Sequence, residues 1–370
     1  MKPPTRRSAL MLAFGSPLLA RKAPALSRVD LFRQGDGGVH TYRIPSLIET
    51  RSGTLLAVVD ARHDSPTDLP ARISLAMRTS RDRGKTWSAA AIIRRVPEGG
   101  VGDPSLLLDR QSGRVWCFHA YGPPGIGFDT AKAGALTGAG TLQVHAMFTD
   151  NDGAAWSEPL DLTPQLKDPA WQAMFATSGT NIQSGARRYL IPVVVRDAQG
   201  VVSSRNAYSD DAGKTWRVGA AIGPETDESH CVELAGGAIM QNMRNGKSRA
   251  VALSNDGGVT FGAVTHDEAL VDPGCNAGIT RYRRGQRDLL IFTNAASVRR
   301  RNLSVKLSAD RGKTWTPGRT IHSGPAAYST VIVLRDGSIA VLYERGDSFP
   351  AERITFTRFN LDWAESSQLS

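Results

Sequence analysis

The stretch Ser80-Arg-Asp-Arg-Gly-Lys-Thr-Trp87 sets a pattern that recurs along the 370-residue chain. Copies with Ser, Asp, Gly and an aromatic residue at the same places occupy residues 209–216, 254–261 and 308–315, and residues 149–156 form a fifth copy with Asn in place of Asp. In this pattern the Asp side chain accepts hydrogen bonds from N–H groups of a turn, Gly permits positive φ, and the aromatic ring covers the turn. The repeat therefore predicts hairpin turns whose acidic residues are structural, not catalytic.

The spacing of the repeats indicates an all-β fold. Their aromatic ends lie 69, 60, 45 and 54 residues apart, which is close to one four-stranded propeller blade with insertions. Between them, short β-branched and aromatic segments such as residues 54–59 and 189–195 alternate with Gly, Asp and Asn, and helical periodicity is nearly absent. Strands in such number need a sandwich or a closed repeat because open sheet edges invite aggregation. The repeats favour the closed ring.

A second motif, Tyr42-Arg43-Ile44-Pro45, precedes the first repeat. The combination of this RIP motif with the repeats, known as Asp-boxes, resembles the bacterial sialidase (neuraminidase) family, and the resemblance runs from about Arg43 to Tyr343. It implies a six-bladed β-propeller of four-stranded antiparallel blades, with residues 26–370 as a single catalytic domain. It also implies an exo-α-sialidase that removes terminal sialic acids with retention, through a tyrosyl-enzyme intermediate.

Arginine is the residue type that such a substrate requires. A sialoside carries a carboxylate on its anomeric carbon, and a guanidinium can bind a carboxylate through two parallel hydrogen bonds. The resemblance places the family's arginine triad on Arg43, Arg244 and Arg300. Arg300 stands eight residues before the last Asp-box, but its neighbours Arg299 and Arg301 remain open as alternatives.

The resemblance implies three further residues around the substrate. Arg62 matches an additional arginine that lines the site. Asp103 matches the residue that approaches the C4 and N-acyl side of the sugar. Glu344 matches the carboxylate that holds Arg43 in place before the substrate arrives.

The nucleophile of this family is a tyrosine, an exception among glycosidases. A neutral phenol avoids repulsion by the substrate carboxylate, but it needs a base because its pKa is ~10. Tyr328 matches the nucleophile and Glu228 its base, with Glu233 as the competing candidate for the base.

General acid catalysis is needed to protonate the leaving oxygen. Asp68 matches the family's acid/base on a mobile loop of the first blade. Asp60 and Asp64 share that stretch and remain alternatives.

The first 25 residues carry half of the formal net charge of +10, through Lys2, Arg6, Arg7, Arg21 and Lys22. A basic start, an apolar stretch over residues 9–20 and then small residues predict a secretory signal peptide, and the tandem arginines are similar to a twin-arginine export signal. The apolar stretch is too short to span a bilayer. We therefore expect a periplasmic or secreted monomer that binds sialylated glycans, with no nucleic-acid partner and no stable membrane insertion.

Three widely spaced cysteines indicate neither a disulfide framework nor a zinc site. No HExxH, Walker loop or dinucleotide fingerprint is present, and the chemistry requires no metal or cofactor. Other readings stay open. The arginine clamp recognises only a carboxylate, so the substrate could be a Kdn or Kdo glycoside; trans-sialidase activity and a non-catalytic sialic-acid-binding propeller are further alternatives.

Overall fold

The computed structural model describes residues 26–366, which form 25 strands, two α-helices and two short 3₁₀ helices. The strands form one seven-stranded sheet, two five-stranded sheets and two four-stranded sheets. The seven-stranded sheet consists of two four-stranded units that share one long strand, and each five-stranded sheet is a four-stranded unit with one additional short strand, which gives six units. This arrangement is consistent with the six blades predicted, and the all-β class is confirmed. The signal peptide predicted for residues 1–25 lies outside the described residues.

The first strand belongs to the last unit, and the first three units follow it along the chain. The bounds are β1 (Leu26–Arg33); β2 (Thr41–Glu49), β3 (Leu55–Arg62), β4 (Ile73–Ser80) and β5 (Ala91–Arg94); β6 (Gly100–Leu108), β7 (Val115–Gly122), β8 (Gln143–Thr149) and β9 (Leu160–Asp161); then β10 (Ala173–Ala176), β11 (Gly179–Thr180), β12 (Ile182–Ser184), β13 (Arg188–Arg196), β14 (Val202–Ser209) and β15 (Arg217–Val218). The short helix α1 (Thr163–Leu166) joins units two and three.

Units four to six complete the chain. Their strands are β16 (Ser229–Glu233), β17 (Ile239–Met243), β18 (Ser248–Ser254) and β19 (Thr265–Val271); β20 (Gly278–Arg284), β21 (Arg287–Ala295), β22 (Arg301–Ser308) and β23 (Arg319–Val333); then β24 (Ile339–Arg345) and β25 (Arg353–Phe359), followed by helix α2 (Leu361–Glu365). The first half of β23 pairs with β22 and its second half with β24. The 3₁₀ helices are Asp36–Gly38 and Gly138–Gly140.

The ring closes through strand β1. It pairs antiparallel with β25, from Leu26 opposite Phe359 to Arg33 opposite Arg353. Apolar side chains from adjacent units form buried clusters between them, one of which contains Phe32, Leu55 and Phe356 and joins unit six to unit one. Because each sheet is covered by its neighbours on both faces, the strands read as continuous apolar runs and not as alternating ones.

The Asp-boxes lie in the turns between the third and fourth strands of units one to five. In the first box Ser80 Oγ donates to Asp82 Oδ1 (2.9 Å), and Thr86 donates its N–H to Oδ1 (2.9 Å) and its hydroxyl to Oδ2 (2.6 Å). The third and fourth strands of unit six are β25 and β1, at opposite ends of the described chain, so no turn joins them. Five boxes therefore accompany six units.

Each box also packs on the preceding unit. A Cβ at Gly84 would overlap with the ring of Phe356 in unit six, and a Cβ at Gly213 in unit three would lie 2.8 Å from the ring of Trp116 in unit two. Both glycines have positive φ, 83° and 85°. The glycine of the motif thus serves the turn and the contact between units at once.

A short segment of unit three fills the centre of the ring. The inner edge of this unit is split into β10 and β12, and between them β11 leaves the sheet to pair in parallel with β6. Thr180 Oγ1 donates to Leu47 O (2.5 Å) and lies 3.1 Å from Thr330 Oγ1. The segment therefore contacts the inner strands of units one, two and six.

Candidate active site

The inner strands β2 and β6 are each interrupted by a bulge at one end of the ring. The register shifts at Ile44 and at Asp103, which have φ of 60° and 58°. Positive φ in a β-branched residue is an outlier that persists only when its surroundings hold it. Here the Ile44 N–H donates to Glu344 Oε1 (2.9 Å), and the Asp103 N–H donates to Asp60 Oδ1 (2.9 Å). Bulges re-aim neighbouring side chains, and both lie at the same end of the ring.

Tyr328, Glu228 and Arg244 meet at this end. The Tyr328 hydroxyl donates to Glu228 Oε2, and Arg244 Nη1 donates to the same carboxylate oxygen (2.8 Å) and to the Tyr328 oxygen (3.0 Å). Tyr328 comes from the second half of β23, Glu228 immediately precedes β16 and Arg244 immediately follows β17. Tyr328 is 7% exposed and Glu228 3% exposed, so the pair is shielded from bulk water.

Burial and nearby charges determine whether Tyr328 or Glu228 holds the proton that they share. Burial and the Glu228 carboxylate raise the pKa of Tyr328 well above its ordinary value, and Arg244 and Arg43 oppose the increase. Burial also raises the pKa of Glu228, against the influence of Arg244. The proton rests on the phenol, with a carboxylate in hydrogen-bond contact that can accept it.

Glu344 fixes Arg43 and the backbone around it. Its two oxygens accept from Arg43 Nε (3.1 Å) and Nη2 (3.2 Å), and Oε2 also accepts from the Tyr328 N–H (3.3 Å). Glu344 is fully buried. Burial alone would lower the pKa of Arg43, but Glu344 reverses the shift and keeps the guanidinium charged. The guanidinium carbon of Arg43 lies 5.2 Å from the centre of the Tyr328 ring.

Arg62 links two aspartates at the edge of the site. It is 1% exposed and donates from Nη2 to Asp60 Oδ2 (3.0 Å), while the same nitrogen lies 2.6 Å from Asp68 Oδ1. The Asp68 side chain is 78% exposed and also lies 3.9 Å from Arg43 Nη1. Partial loss of water around the carboxylate would raise the pKa of Asp68, but Arg62 and Arg43 outweigh this effect and lower that pKa. Burial raises the pKa of Asp60 to about 6 despite Arg62.

Asp103 is half-buried beside these groups. Burial and the negative charges of Asp60 and Glu228 raise its pKa well above the ordinary value. A protonated Asp103 could donate a hydrogen bond to a bound sugar, which an ionised carboxylate cannot do.

Among the three consecutive arginines, Arg300 is the one directed toward Tyr328. Its guanidinium carbon lies 5.8 Å from the centre of the Tyr328 ring, and its Nη2 donates to Gly274 O (2.8 Å). Arg299 and Arg301 are exposed. The geometry favours Arg300 as the third arginine, and its role remains a prediction.

Of the competing candidates, Asp60 lies in the site, bound to Arg62, and the other two lie elsewhere. Glu233 is at the far end of β16, where its Oε2 accepts from the Gly185 N–H (3.1 Å). Asp64 is exposed and paired with Arg72 at 2.5 Å.

A buried ion pair beneath the arginines was not foreseen from the sequence. Arg249 and Asp272 are both fully buried, 3.1 Å apart. Asp272 also accepts from the N–H groups of Asn245 (2.9 Å) and Gly274 (2.9 Å). The pair therefore supports the residue after Arg244 and the glycine whose carbonyl holds Arg300. An arginine inside a buried strand was the available signal, but its partner is 23 residues away.

Within residues 26–366 no three His, Cys, Asp or Glu side chains are grouped so as to hold a metal ion. Over the same range no helix is long and apolar enough to cross a membrane. Cys117, Cys231 and Cys275 are buried and unpaired.

The fold and the site together define a BNR-repeat β-propeller with an arginine-rich anion site at its centre. A family model described as a BNR repeat-like domain matches residues 71–341. The chain is 35% identical to a sialidase of Micromonospora viridifaciens over 94% of its length and 56% of that protein, and 32% identical to a sialidase of Bacteroides fragilis over 84% and 61%. The chain belongs to the sialidase family.

A solved structure with high similarity supports the same assignment. A Hadza microbial sialidase superposes with a TM-score of 0.85 at 29% identity, over 91% of this chain and 69% of that one. The chain spans 56% and 61% of the length of the two sequence relatives.

Proposed function

We propose that the protein is an exo-α-sialidase that hydrolyses terminal sialic acids of glycoconjugates with retention of configuration. The observation that carries the proposal is the hydrogen bond from the Tyr328 hydroxyl to Glu228, set among Arg43, Arg244 and Arg300. A phenol with a carboxylate base inside a cationic cluster suits an electrophile that itself carries a carboxylate. The similarity to the sialidases of Micromonospora viridifaciens and Bacteroides fragilis supports the substrate class.

In the first step, the three arginines bind the substrate carboxylate and Tyr328 attacks the anomeric carbon. The phenolic proton passes to Glu228 as the new C–O bond forms. The glycosidic C–O bond breaks, and its oxygen takes a proton from Asp68. Binding of the substrate carboxylate offsets the positive charge that lowers the pKa of Asp68 in the free protein, so that Asp68 can carry that proton.

In the second step, water attacks the same carbon. Its proton goes to the Asp68 carboxylate, the bond to the tyrosyl oxygen breaks, and the phenolate recovers its proton from Glu228. The net reaction adds one water molecule. The two inversions at one carbon give retention.

The anomeric form of the first product tests this mechanism. Proton NMR of sialyllactose hydrolysis should show the α-anomer of the free sugar first, followed by mutarotation to the β-anomer. Appearance of the β-anomer first would contradict the tyrosyl intermediate. A panel of Neu5Ac, Neu5Gc, Kdn and Kdo glycosides then identifies the sugar, and inactivity on all four would favour a binding propeller.

The proposal extends to location and assembly. The basic and apolar pattern of residues 1–25 supports export to the periplasm or the medium. The site is assembled within one chain, which supports a monomer as the active unit. Size-exclusion chromatography with light scattering of the exported protein tests the second point, and N-terminal sequencing tests the first.

A further inference from the structure

The loop that carries Asp68 is seated in a groove made by three glycines, Gly100, Gly122 and Gly127, which we call the glycine cradle. A Cβ at Gly127 would overlap with Leu69 O and lie 3.0 Å from Pro70 Cδ, and a Cβ at Gly100 would lie 2.7 Å from Leu69 Cδ2. At Gly122 a Cβ would overlap with the carbonyl of residue 126. Real Cβ atoms do not approach other atoms so closely, and only glycine admits the loop backbone here.

The side chain of Leu69 anchors the loop on the same side. It packs against an apolar cluster that includes Ala120, Ala131 and Leu142. Two of these residues and Gly127 belong to the segment 123–142, which connects β7 to β8. The residue directly after Asp68 is therefore held by the second unit and not by its own.

Segment 123–142 is itself fastened to unit three. Arg196 lies 3.4 Å from Asp129 and donates to Phe128 O. The Gly134 N–H donates to Pro169 O (2.7 Å), and Lys167 donates to Ala135 O (3.0 Å). Segment 123–142 is thus held by hydrogen bonds at several points, so it can resist displacement of Leu69.

The opposite side of the loop is held by Arg62. This buried guanidinium donates to Pro66 O (2.6 Å) in addition to its contact with Asp68. The base of the loop is closed by the His63 N–H, which donates to Arg72 O (3.1 Å). Asp68 is exposed, yet the chain on both sides of it is fixed.

We propose that Leu69 and the glycine cradle are positioning elements for the general acid, so that segment 123–142 of unit two sets the distance over which Asp68 delivers its proton. This inference rests on the proposed function, in which Asp68 protonates the glycosidic oxygen as the C–O bond breaks. The cradle keeps Asp68 beside Arg62 and over the site, and a shift of the loop by the width of a methyl group moves its carboxyl away from the leaving oxygen.

The substitution Gly127→Ala tests the steric part. Gly127 does not have positive φ, so alanine is compatible with the backbone, and the atoms nearest to its methyl group belong to Leu69 and Pro70. We expect kcat/KM for sialyllactose to fall about tenfold, because its alcohol leaving group needs protonation, while kcat/KM for a 4-nitrophenyl sialoside, whose leaving group does not, changes by less than about twofold. The comparison uses kcat/KM because this quantity reports the first step and not the later attack of water, in which Asp68 is the base for both substrates. Gly262→Ala is the matched control, since Gly262 also lacks positive φ and its nearest neighbour would be at 3.7 Å.

The substitution Leu69→Ala removes the anchor without adding bulk. We expect the same selective loss on sialyllactose, together with faster hydrogen–deuterium exchange of residues 64–72. Equal losses on both substrates, or unchanged exchange in both variants, would overturn the inference.

The variant Asp68→Ala separates this inference from the proposed function. It should show the leaving-group difference at full size, about 10²-fold or more. Absence of the difference in Asp68→Ala would reject Asp68 as the acid, whatever the cradle variants show. Its presence in Asp68→Ala and absence in Gly127→Ala and Leu69→Ala would reject the cradle alone.

Discussion

Glu228 and Asp60 at the centre of the ring and the aspartates of the Asp-box turns have pKa values shifted in opposite directions by their surroundings. At the centre, burial raises the pKa of Glu228 and raises that of Asp60 to about 6. In the turns, the Thr86 hydroxyl and N–H lower the pKa of Asp82 to about 2, and the Thr215 N–H and hydroxyl do the same for Asp211. The two groups occupy opposite ends of the strands; β4, for example, follows the Asp68 loop and ends at the first box.

The difference shows what a carboxylate needs in order to take part in proton transfer. In a box, the acceptor positions of the Asp are filled by donors of its own turn, which stabilise the anion. At the centre, Asp60 also accepts hydrogen bonds, from Arg62 and from the Asp103 N–H, but burial outweighs them and raises its pKa. Small changes in charge near such a buried group therefore decide where a proton rests. Acidic residues that look alike in sequence thus divide into structural and chemical groups.

The largest expected effect is at the nucleophile. Tyr328→Phe should abolish measurable turnover of a fluorogenic sialoside, because no other group can form the bond to the anomeric carbon, and should leave the circular dichroism spectrum unchanged. Tyr282→Phe is the matched control, since Tyr282 is equally buried at 7% exposure and lies outside the site. Turnover near the wild-type level in Tyr328→Phe would rule out the covalent mechanism.

The next effect contrasts the two groups of carboxylates directly. Glu228→Gln should lower kcat by about 10²–10⁴-fold, the usual contribution of a positioned base. Asp211→Asn should leave kcat unchanged, because an amide oxygen can still accept the turn N–H groups, as Asn151 does from the Ala155 N–H (2.9 Å) in the fifth box. Similar losses of kcat in both variants would show that the central and the box carboxylates do not differ in function.

A smaller effect concerns stability. Glu344→Gln removes the fully buried counter-charge that holds the half-buried Arg43 and should cost up to about 3–5 kcal/mol of unfolding free energy, with an increase in KM as Arg43 loses its orientation. Urea denaturation and initial-rate kinetics measure the two changes. Disruption of the exposed pair between Asp64 and Arg72 through Asp64→Asn should change neither, and a stability loss in that variant equal to the loss in Glu344→Gln would contradict the role of burial.

A substitution in an Asp-box should lower the stability of the protein without lowering its activity. Gly213→Ala places a methyl group against Trp116 and puts alanine at positive φ, for an expected loss of about 1–3 kcal/mol with unchanged kcat at a temperature where the variant is folded. Thermal unfolding and kcat at 25 °C check this. A fall in kcat of the folded variant would show that the structure of this box affects catalysis at the active site.

The smallest effect is the dependence of stability on pH. The folded pKa of Asp60, about 6, exceeds its unfolded value, so its stabilising contribution is complete below the unfolded value of ~3.9 and is lost as the pH rises through 6. The pKa of Asp82, about 2, is lowered on folding, so its contribution is present above pH ~4 and is lost as the pH falls towards 2.

Two variants test these opposite signs. Compared with the wild type, Asp60→Asn should remove a decline in unfolding free energy between about pH 4 and 6, and Asp82→Asn should remove a rise between about pH 2 and 4. Urea denaturation at a series of pH values gives both slopes. An unchanged slope between pH 4 and 6 in Asp60→Asn would show that its raised pKa does not contribute to stability.

The sequence was sufficient for the fold because the deciding feature is local. An Asp-box needs only eight consecutive residues, and its spacing reports the strand count. The sequence did not reveal why unit six lacks a box, since that follows from the pairing of β1 with β25. The excursion of β11 into the centre of the ring was equally hidden, because its parallel partner β6 lies about 70 residues earlier in the chain.

The residues of the site also differ in whether the sequence could identify them. Residues with a motif around them, such as Arg43 and Glu344, could be named in advance. Asp60 could have been recognised as the partner of Arg62, because two residues apart on a strand share one face. The pairing of Arg249 with Asp272 could not, since it depends on how β18 and the segment after β19 fold over each other.

The pairing of β1 with β25 also has a consequence for biosynthesis. Strands that face each other at Leu26 and Phe359 are the first and nearly the last parts of the described chain to leave the ribosome. Apart from the pairing of β11 with β6, units one to five are built from strands that follow one another along the chain and can form during translation. Unit six must wait for β25, so its apolar face and the matching face of unit one stay uncovered until that strand has emerged. The interval before β1 and β25 meet is when the nascent chain is most exposed to aggregation and most in need of a chaperone.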